Sequence, residues 1–247
     1  MIELERSDKS RNAIFGVANT DIEIRITNIV FQVEEVILDD QLKMIVNKRF
    51  EQTPEKPLLV SFLRRKCESK RCDTEDCDFS FTKFSCPRFV FVAAKRSING
   101  GHSDVDFNYS LYCHADIKEV IVNIDDKQYP DCPQNTKFTK NQYSAMYQSF
   151  IDICKALGGE CSVTAKQYKE LFPICAIDCS NQPPKLLGSV TNLGISIKRN
   201  PLPNDDTNRM NPRDVTFYVL ILDEAMYSFD VINQQVKRLR GGLASGK

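Results

Sequence analysis

Residues 215–222 read Val-Thr-Phe-Tyr-Val-Leu-Ile-Leu, and no other stretch constrains the fold as tightly. Side chains alternate across a strand. Val215, Phe217, Val219 and Ile221 therefore share one face, and Thr216, Tyr218, Leu220 and Leu222 the other. Both faces are apolar enough to need cover, which a strand in the interior of a sheet obtains. The chain must build a sheet on both sides of this segment.

Further strand signals supply the neighbours. Ile22, Ile24 and Ile26 alternate with Glu23 and Arg25, the pattern of a strand with one wet face. The phase shifts at Thr27-Asn28, and a bulge there would let one long strand keep burying Ile29, Phe31 and Val33. After Pro54 and Pro57, Leu58 to Leu63 reads as a core strand ended by Arg64, Arg65 and Lys66, with an exposed loop from Cys67 to Asp78. Phe79, Phe81 and Lys83 oppose Ser80, Thr82 and Phe84, a less cleanly two-sided strand. Phe89, Val90, Phe91 and Val92 precede a turn at Asn99-Gly100-Gly101. Period-two sets follow at Phe107, Tyr109 and Leu111, at Val120, Val122 and Ile124 before Asp125-Asp126, and at Leu193, Ile195 and Ile197. Phe229, Val231 and Ile232 close the folded part.

Two helices interrupt the strands. Tyr143, Met146, Tyr147, Phe150, Ile153, Cys154 and Leu157 recur at three- and four-residue spacings, with Thr139 or Asn141 as cap and Gly158-Gly159 as stop. Thr164 and Gln167 stand at capping-box spacing, and Pro173 keeps the helix they start short. The fold class is mainly β: a sandwich of two antiparallel sheets with one long and one short helix in its loops. A chain of 247 residues is long enough for one large sandwich.

Charge and composition exclude several functions. Lys plus Arg equals Asp plus Glu at 33 each, so no global field draws the chain to nucleic acid or anionic membrane. Glu3, Glu5, Arg6, Asp8, Lys9 and Arg11 leave no apolar signal-peptide core, and no later stretch reaches the ~18 apolar residues of a span. The expectation is a soluble, intracellular protein. Arg64, Arg65, Lys66, Lys70 and Arg71 form a short basic patch, diluted by Glu68 and Asp73 and read as solvated.

Metal and catalytic motifs are sparse. Cys67, Cys72, Cys77 and Cys86 form a zinc candidate, but structural zinc ligands come in tighter pairs, and here no second tight pair or histidine follows. Cys175 and Cys179 read as small buried hydrophobes. The only histidines are His102 and His114. His114 follows Cys113 directly, so in a strand the two side chains point to opposite faces and make no thiol–imidazole dyad. Asp205-Asp206 with Asp214, and Asp104 with Asp106, are carboxylate groups without EF-hand spacing. The sequence contains no phosphate-cradling glycine loop, no glycine-flanked serine elbow and no paired-histidine helix. No catalytic residue and no cofactor is expected.

Five segments in fixed order, residues 4–17, 22–38, 88–130, 163–180 and 215–236, carry a resemblance. Together they resemble the second half of the double jelly-roll major capsid proteins of Polinton/Maverick elements and their adintovirus-like relatives, distant kin of the adenovirus hexon. In that family a strand closes in an Asp-Gly turn before a proline; here Pro130 stands at the matching place and Asp126 replaces the glycine. A short helix with a tyrosine then precedes a strand, as Tyr168 precedes residues 176–180.

The resemblance implies a jelly-roll domain over residues 18–236, preceded at 1–17 by a remnant of the last strand of an upstream jelly roll and followed at 237–247 by a flexible tail. It implies a shell-building structural protein and not an enzyme. Self-association as a homotrimer or capsomer follows, with penton or minor capsid proteins as further partners and the virion as its location; outside a virus, cytoplasm or nucleus. Leu239-Arg240-Gly241-Gly242 before Leu243 is similar to the Leu-x-Gly-Gly site of adenovirus-type cysteine proteases. The alternative is a domesticated cellular β-sandwich module that binds a protein or carbohydrate, since a fold alone does not fix function.

Overall fold

The computed structural model describes residues 27–30, 32, 37, 39–52, 58–84, 86–97, 111–182, 191–204, 208–230 and 235–239. The strand proposed at Ile22, Ile24 and Ile26, the turn at Asn99-Gly100-Gly101, Phe107, Tyr109 and the remnant at 1–17 lie outside them.

Among the described residues, nine strands form two antiparallel sheets. β1 is Leu58–Cys72, β2 Asp76–Phe84, β3 Pro87–Arg96, β4 Ile117–Ile124, β5 Lys127–Tyr129, β6 Cys175–Asp178, β7 Thr191–Arg199, β8 Val215–Asp230 and β9 Gln235–Leu239. The first sheet has the order β1-β8-β3-β6 with β9 added to β8; the second has the order β2-β7-β4-β5. The pairing is nested: β1 with β8, β2 with β7, β3 with β6 and β4 with β5, alternating between the sheets. Eight strands wound in this way are a jelly roll. No helix among the described residues is long and apolar enough to cross a membrane.

β8 explains its own composition. It pairs with β1 from Cys72↔Val215 to Leu58↔Phe229, and with β3 from Arg96↔Val215 to Pro87↔Asp223. Val215, Phe217, Val219 and Ile221 are fully buried between the sheets, facing a core that includes Leu193, Ile195 and Ile197 of β7 and Val120, Val122 and Ile124 of β4. On the outer face, Leu222 joins Phe89, Ala176 and Ile153 in a second cluster, flanked by Phe91, Phe150 and Leu220. Ile153 and Phe150 come from helix α2, Ser144–Ala156, which therefore covers part of that face.

Four expectations are corrected here. Residues 27–30 have no regular structure and Ile29 and Val30 are exposed. Outside both sheets, an alternating pattern has no face to sort against. Leu58 to Leu63 is not a core strand, and Cys67 to Cys72 is not loop. One 15-residue strand runs through both at the edge of the sheet, where charged side chains reach solvent and discourage pairing with another chain. Residues 237–239, assigned to the tail, belong to β9, with Met226 opposite Leu239.

Phe84 shows why β2 reads poorly in sequence. The ladder slips between Phe81 and Phe84, and the irregularity brings Phe84, out of phase with Cys77, Phe79 and Phe81, into the same core. At the β4–β5 hairpin the glycine is dispensable because Asp125 itself takes φ +51°, its carboxylate accepting from Asn192 N at 3.1 Å.

The helices stand where periodicity puts them, with different ends. α2 starts at Ser144 without a side-chain cap, because Thr139 bonds Asp116 and Asn141 closes a 3-10 turn at Phe138–Lys140. Gly158, at φ +80°, stops it. Leu157 falls past the packed face and is exposed. α3, Ala165–Leu171, carries the full Thr164/Gln167 capping box. Helix α1, Asp40–Gln52, has no counterpart among the helices read from the sequence; Asp39 caps it by accepting from Leu42 N at 2.7 Å.

Phe217 and Tyr218 are neighbours on opposite faces of β8, so they test this layering. Phe217→Ala should cost about 3–5 kcal/mol in urea unfolding, and Tyr218→Ala, at an exposed position, about 1 kcal/mol or less. Similar losses at the two positions would contradict the assignment of faces.

Candidate functional site

The densest buried polar group lies at one end of the sandwich, around His114. Cys113 is buried in the main core, and the His114 ring stacks at 5.0 Å on Phe138 of the same core. Phe138 in turn stacks on Tyr143 at 5.2 Å. His114 Nδ1 accepts from Asp116 N at 2.9 Å, across a turn in which Ala115 and Asp116 both have positive φ. The Asp116 carboxylate accepts from Thr139 N and Oγ1, each at 3.1 Å.

Arg199 closes the cluster from β7. Its Nε donates to Ala115 O at 2.9 Å, and its terminal nitrogens donate to the carbonyls of Arg213 and Pro212. Asn200 Nδ2 donates to Asp116 O and Thr136 O at 3.1 and 3.0 Å. Buried polar groups carry a penalty unless paired, and this cluster pairs its members with one another. It pins the segments before β4, before α2 and before β8 to one place.

Electrostatics make the cluster a structural clamp. Burial pushes the Cys113 thiol up to about 12, which removes the thiolate a nucleophile needs. Burial also lowers His114 to about 4, with Lys169 and Arg199 adding to the effect and Asp116 opposing it.

The zinc candidate does not assemble. Cys67 and Cys72 lie five residues apart on one strand, hence on opposite faces; Cys67 is exposed and Cys72 buried. Cys72 Sγ donates to Asp76 O at 3.5 Å across the turn that links the sheets, Cys77 is buried in the same core, and Cys86 is half-buried. Among the described residues no three His, Cys, Asp or Glu side chains stand within reach of one metal ion. Asp214 instead takes a two-oxygen ion pair from Arg71. His102, Asp104, Asp106, Asp205 and Asp206 lie outside the described residues.

Most of the basic patch is met within the chain. Arg64 pairs with the buried Asp223 at 2.8 Å, Lys66 with Glu68 at 2.8 Å, and Lys70 donates to Asp78 O at 2.9 Å. A cleft of about 270 Å³ between α2 and β6 is lined in part by Gln134, Ser149, Asp152 and Asp178. Its polar groups bond locally: Gln134 to Ser149, Gln148 to Asp152, and Ser180 N to Asp178.

What remains is surface. Past the last β3 pair, β8 continues as a ribbon with the first half of β1 on one side and β9 on the other. Leu59 and Leu63 are 46% and 45% exposed on one face, and Phe62 is 50% exposed on the other, edge-on to Tyr227 at 5.7 Å. Leu42, Met44 and Ile45 of the Asp40–Gln52 helix are exposed as well. The sequence reading missed this surface. Its signal was the join of an apolar run, Leu58 to Leu63, to a charged run without a turn residue between them. Leu239 ends β9, and Gly241, Gly242 and Leu243 lie outside the described residues.

Two antiparallel sheets with this nested strand order define a jelly-roll β-sandwich. A family profile for the double jelly roll-like domain matches residues 1–227, and the chain belongs to that family. No curated protein matches it. Among solved structures, the Sputnik virophage determined by cryo-EM is similar at 8% identity and a TM-score of 0.46, over 78% of this chain and 40% of that one. The mavirus major capsid protein is similar at 8% identity and a TM-score of 0.39, over 78% of this chain and 44% of that one. The chain spans less than half the length of either.

His114 gives the clamp a pH signature. Its folded value of about 4 lies below the unfolded 6.5, so between these pH values the unfolded chain binds more protons. The contribution is complete above about pH 6.5 and is lost as pH falls toward 4, on the order of 3 kcal/mol in all. Urea titrations across this range should show the loss in the natural chain and a flatter profile in His114→Gln. Equal slopes would remove His114 as the cause.

Proposed function

We propose that this chain is a structural protein that builds part of a protein shell, in the manner of the second jelly roll of a double jelly-roll major capsid protein of the Polinton/Maverick and adintovirus-like type. Family membership and the nested strand order support the reading. The observation that carries it is the ribbon of β1, β8 and β9, which presents Leu59, Leu63 and Phe62 on two faces. Shell proteins need large complementary lateral surfaces and no reacting group, and half-exposed apolar side chains along a sheet edge suit such surfaces.

In this reading the chain assembles into trimers or capsomers and resides in the virion, with penton or minor capsid proteins as neighbours. Processing after Gly242 belongs to the same reading. A protease groove takes an extended chain, and the paired glycines begin two residues after the end of β9.

Sedimentation velocity at micromolar concentration tests the proposal. The natural chain should sediment as trimers or larger species, and the Leu59→Lys/Leu63→Lys variant should associate at least about tenfold more weakly. Because both positions are half-exposed, thermal stability of the variant should stay near that of the natural chain. A strict monomer in low and high salt would overturn the assembly role.

A further inference from the structure

Two consecutive residues of the clamp, Ala115 and Asp116, hold φ at +48° and +42°. Aspartate tolerates this left-handed region; alanine, whose Cβ crowds the following carbonyl there, is strained in it. A strained turn persists only where its surroundings over-determine it. Arg199 Nε donates to Ala115 O at 2.9 Å, Asn200 Nδ2 to Asp116 O at 3.1 Å, and Ala115 N to Met210 O at 3.0 Å. A further hold is Asp116 N, which donates to His114 Nδ1 at 2.9 Å. Its acceptor, unlike a carbonyl oxygen, takes up a proton in mildly acidic solution.

We propose that His114 is an acid-operated latch: a proton on Nδ1 displaces the Asp116 N–H, and the 114–116 turn opens locally while the two sheets stay paired. The step adds one proton from solvent, breaks one hydrogen bond and changes no covalent bond. A ring nitrogen that accepts from an N–H carries no proton itself, so the closed turn holds a neutral imidazole with its hydrogen on Nε2. Closed turn and charged ring exclude each other. The latch does not depend on shell assembly.

The groups around the ring set the sign. His114 is buried, stacked on Phe138, which Tyr143 and Tyr168 cover from the other elements. Arg199 approaches from β7, bonded to the next residue's carbonyl. Lys169 of α3 donates to Asn141 Oδ1 at 2.6 Å, at the end of the 3-10 turn that carries Phe138. Asp116 is the one anion, and its carboxylate is committed to Thr139 N and Oγ1. Burial leads, the two cations add to it and Asp116 opposes, so the folded ring takes its proton near pH 4 and the released ring near 6.5. Acid therefore favours the open turn.

The opening has a defined extent. Upstream, Cys113 N donates to Ala94 O at 2.9 Å, and downstream β4 begins at Ile117. Thr139 is bonded to Asp116, so the 3-10 turn at Phe138–Lys140 loosens with it. β8 is held by its backbone ladders to β1 and β3 and meets the proton only through global unfolding.

Amide exchange of the full chain from pH 7 to pH 4.5, corrected for the intrinsic rate, tests the latch. Protection at Asp116 and Thr139 should fall about tenfold for each pH unit between pH 6 and pH 4.5. It should stay at least about tenfold below that of residues 215–222 and ignore low urea, because local opening exposes little surface. His114→Gln has no titrating acceptor and should flatten this slope, whatever its absolute protection, with circular dichroism confirming that it folds. The same steep slope in His114→Gln would overturn the latch. So would clamp amides that match residues 215–222 in protection and urea response at every pH.

Discussion

β8 has a ladder partner on each side and apolar atoms on both faces, and the rest of the sandwich depends on that. Its first nine residues are flanked by β1 and β3, and the later ones by β1 and β9. One face closes the main core against the second sheet, and the other receives α2. Nested pairing also means that β8 meets the strand that begins the described barrel, 171 residues earlier in sequence for the Leu58↔Phe229 pair. Such long-range closure carries a large entropic cost before contacts repay it. Fully burying a side chain of Val, Ile or Phe size contributes roughly 1.5–3 kcal/mol, and β8 gathers four of them on its inner face.

The polar clamp complements the apolar core. Arg199 and Asn200 at the end of β7 hold carbonyls from Ala115, Asp116, Thr136, Pro212 and Arg213. Thus the end of one strand fixes the approach to β4, α2 and β8 together. A sandwich alone leaves its connecting segments free to wander, and a paired buried network specifies where they run. At the far end, the ribbon of β1, β8 and β9 presents half-exposed apolar side chains at Leu59, Phe62 and Leu63. Those side chains are the basis of the proposed association.

The sequence made some of this legible. Bifacial apolar alternation at 215–222 required a central strand, Thr164 with Gln167 required a capped helix, and Gly158 marked the end of α2. In each case a local rule and the tertiary structure agree. The failures have a common cause. The charged segment from Cys67 looked like loop because the edge position that suits it is set by a partner strand distant in sequence. Phe84 broke the period because a ladder irregularity, absent from the local pattern, returns it to the core. Asp116 and Arg199 could not be recognised as a clamp, since their partners come from four separate segments. The four-cysteine zinc set failed for a legible reason: a five-residue spacing on one strand separates Cys67 from Cys72 by face.

Amide hydrogen exchange across the folded chain tests the central role of β8 most directly. Residues 215–223, bonded to β1 and β3, should exchange only through global unfolding, at the slowest rate in the molecule, with the β1 amides that pair with them close behind. The short strands β5 and β9 should exchange faster through local opening. If the 215–223 amides exchange as fast as those of β9, or if β1 opens independently of β8, the sandwich does not close on this strand and the account fails.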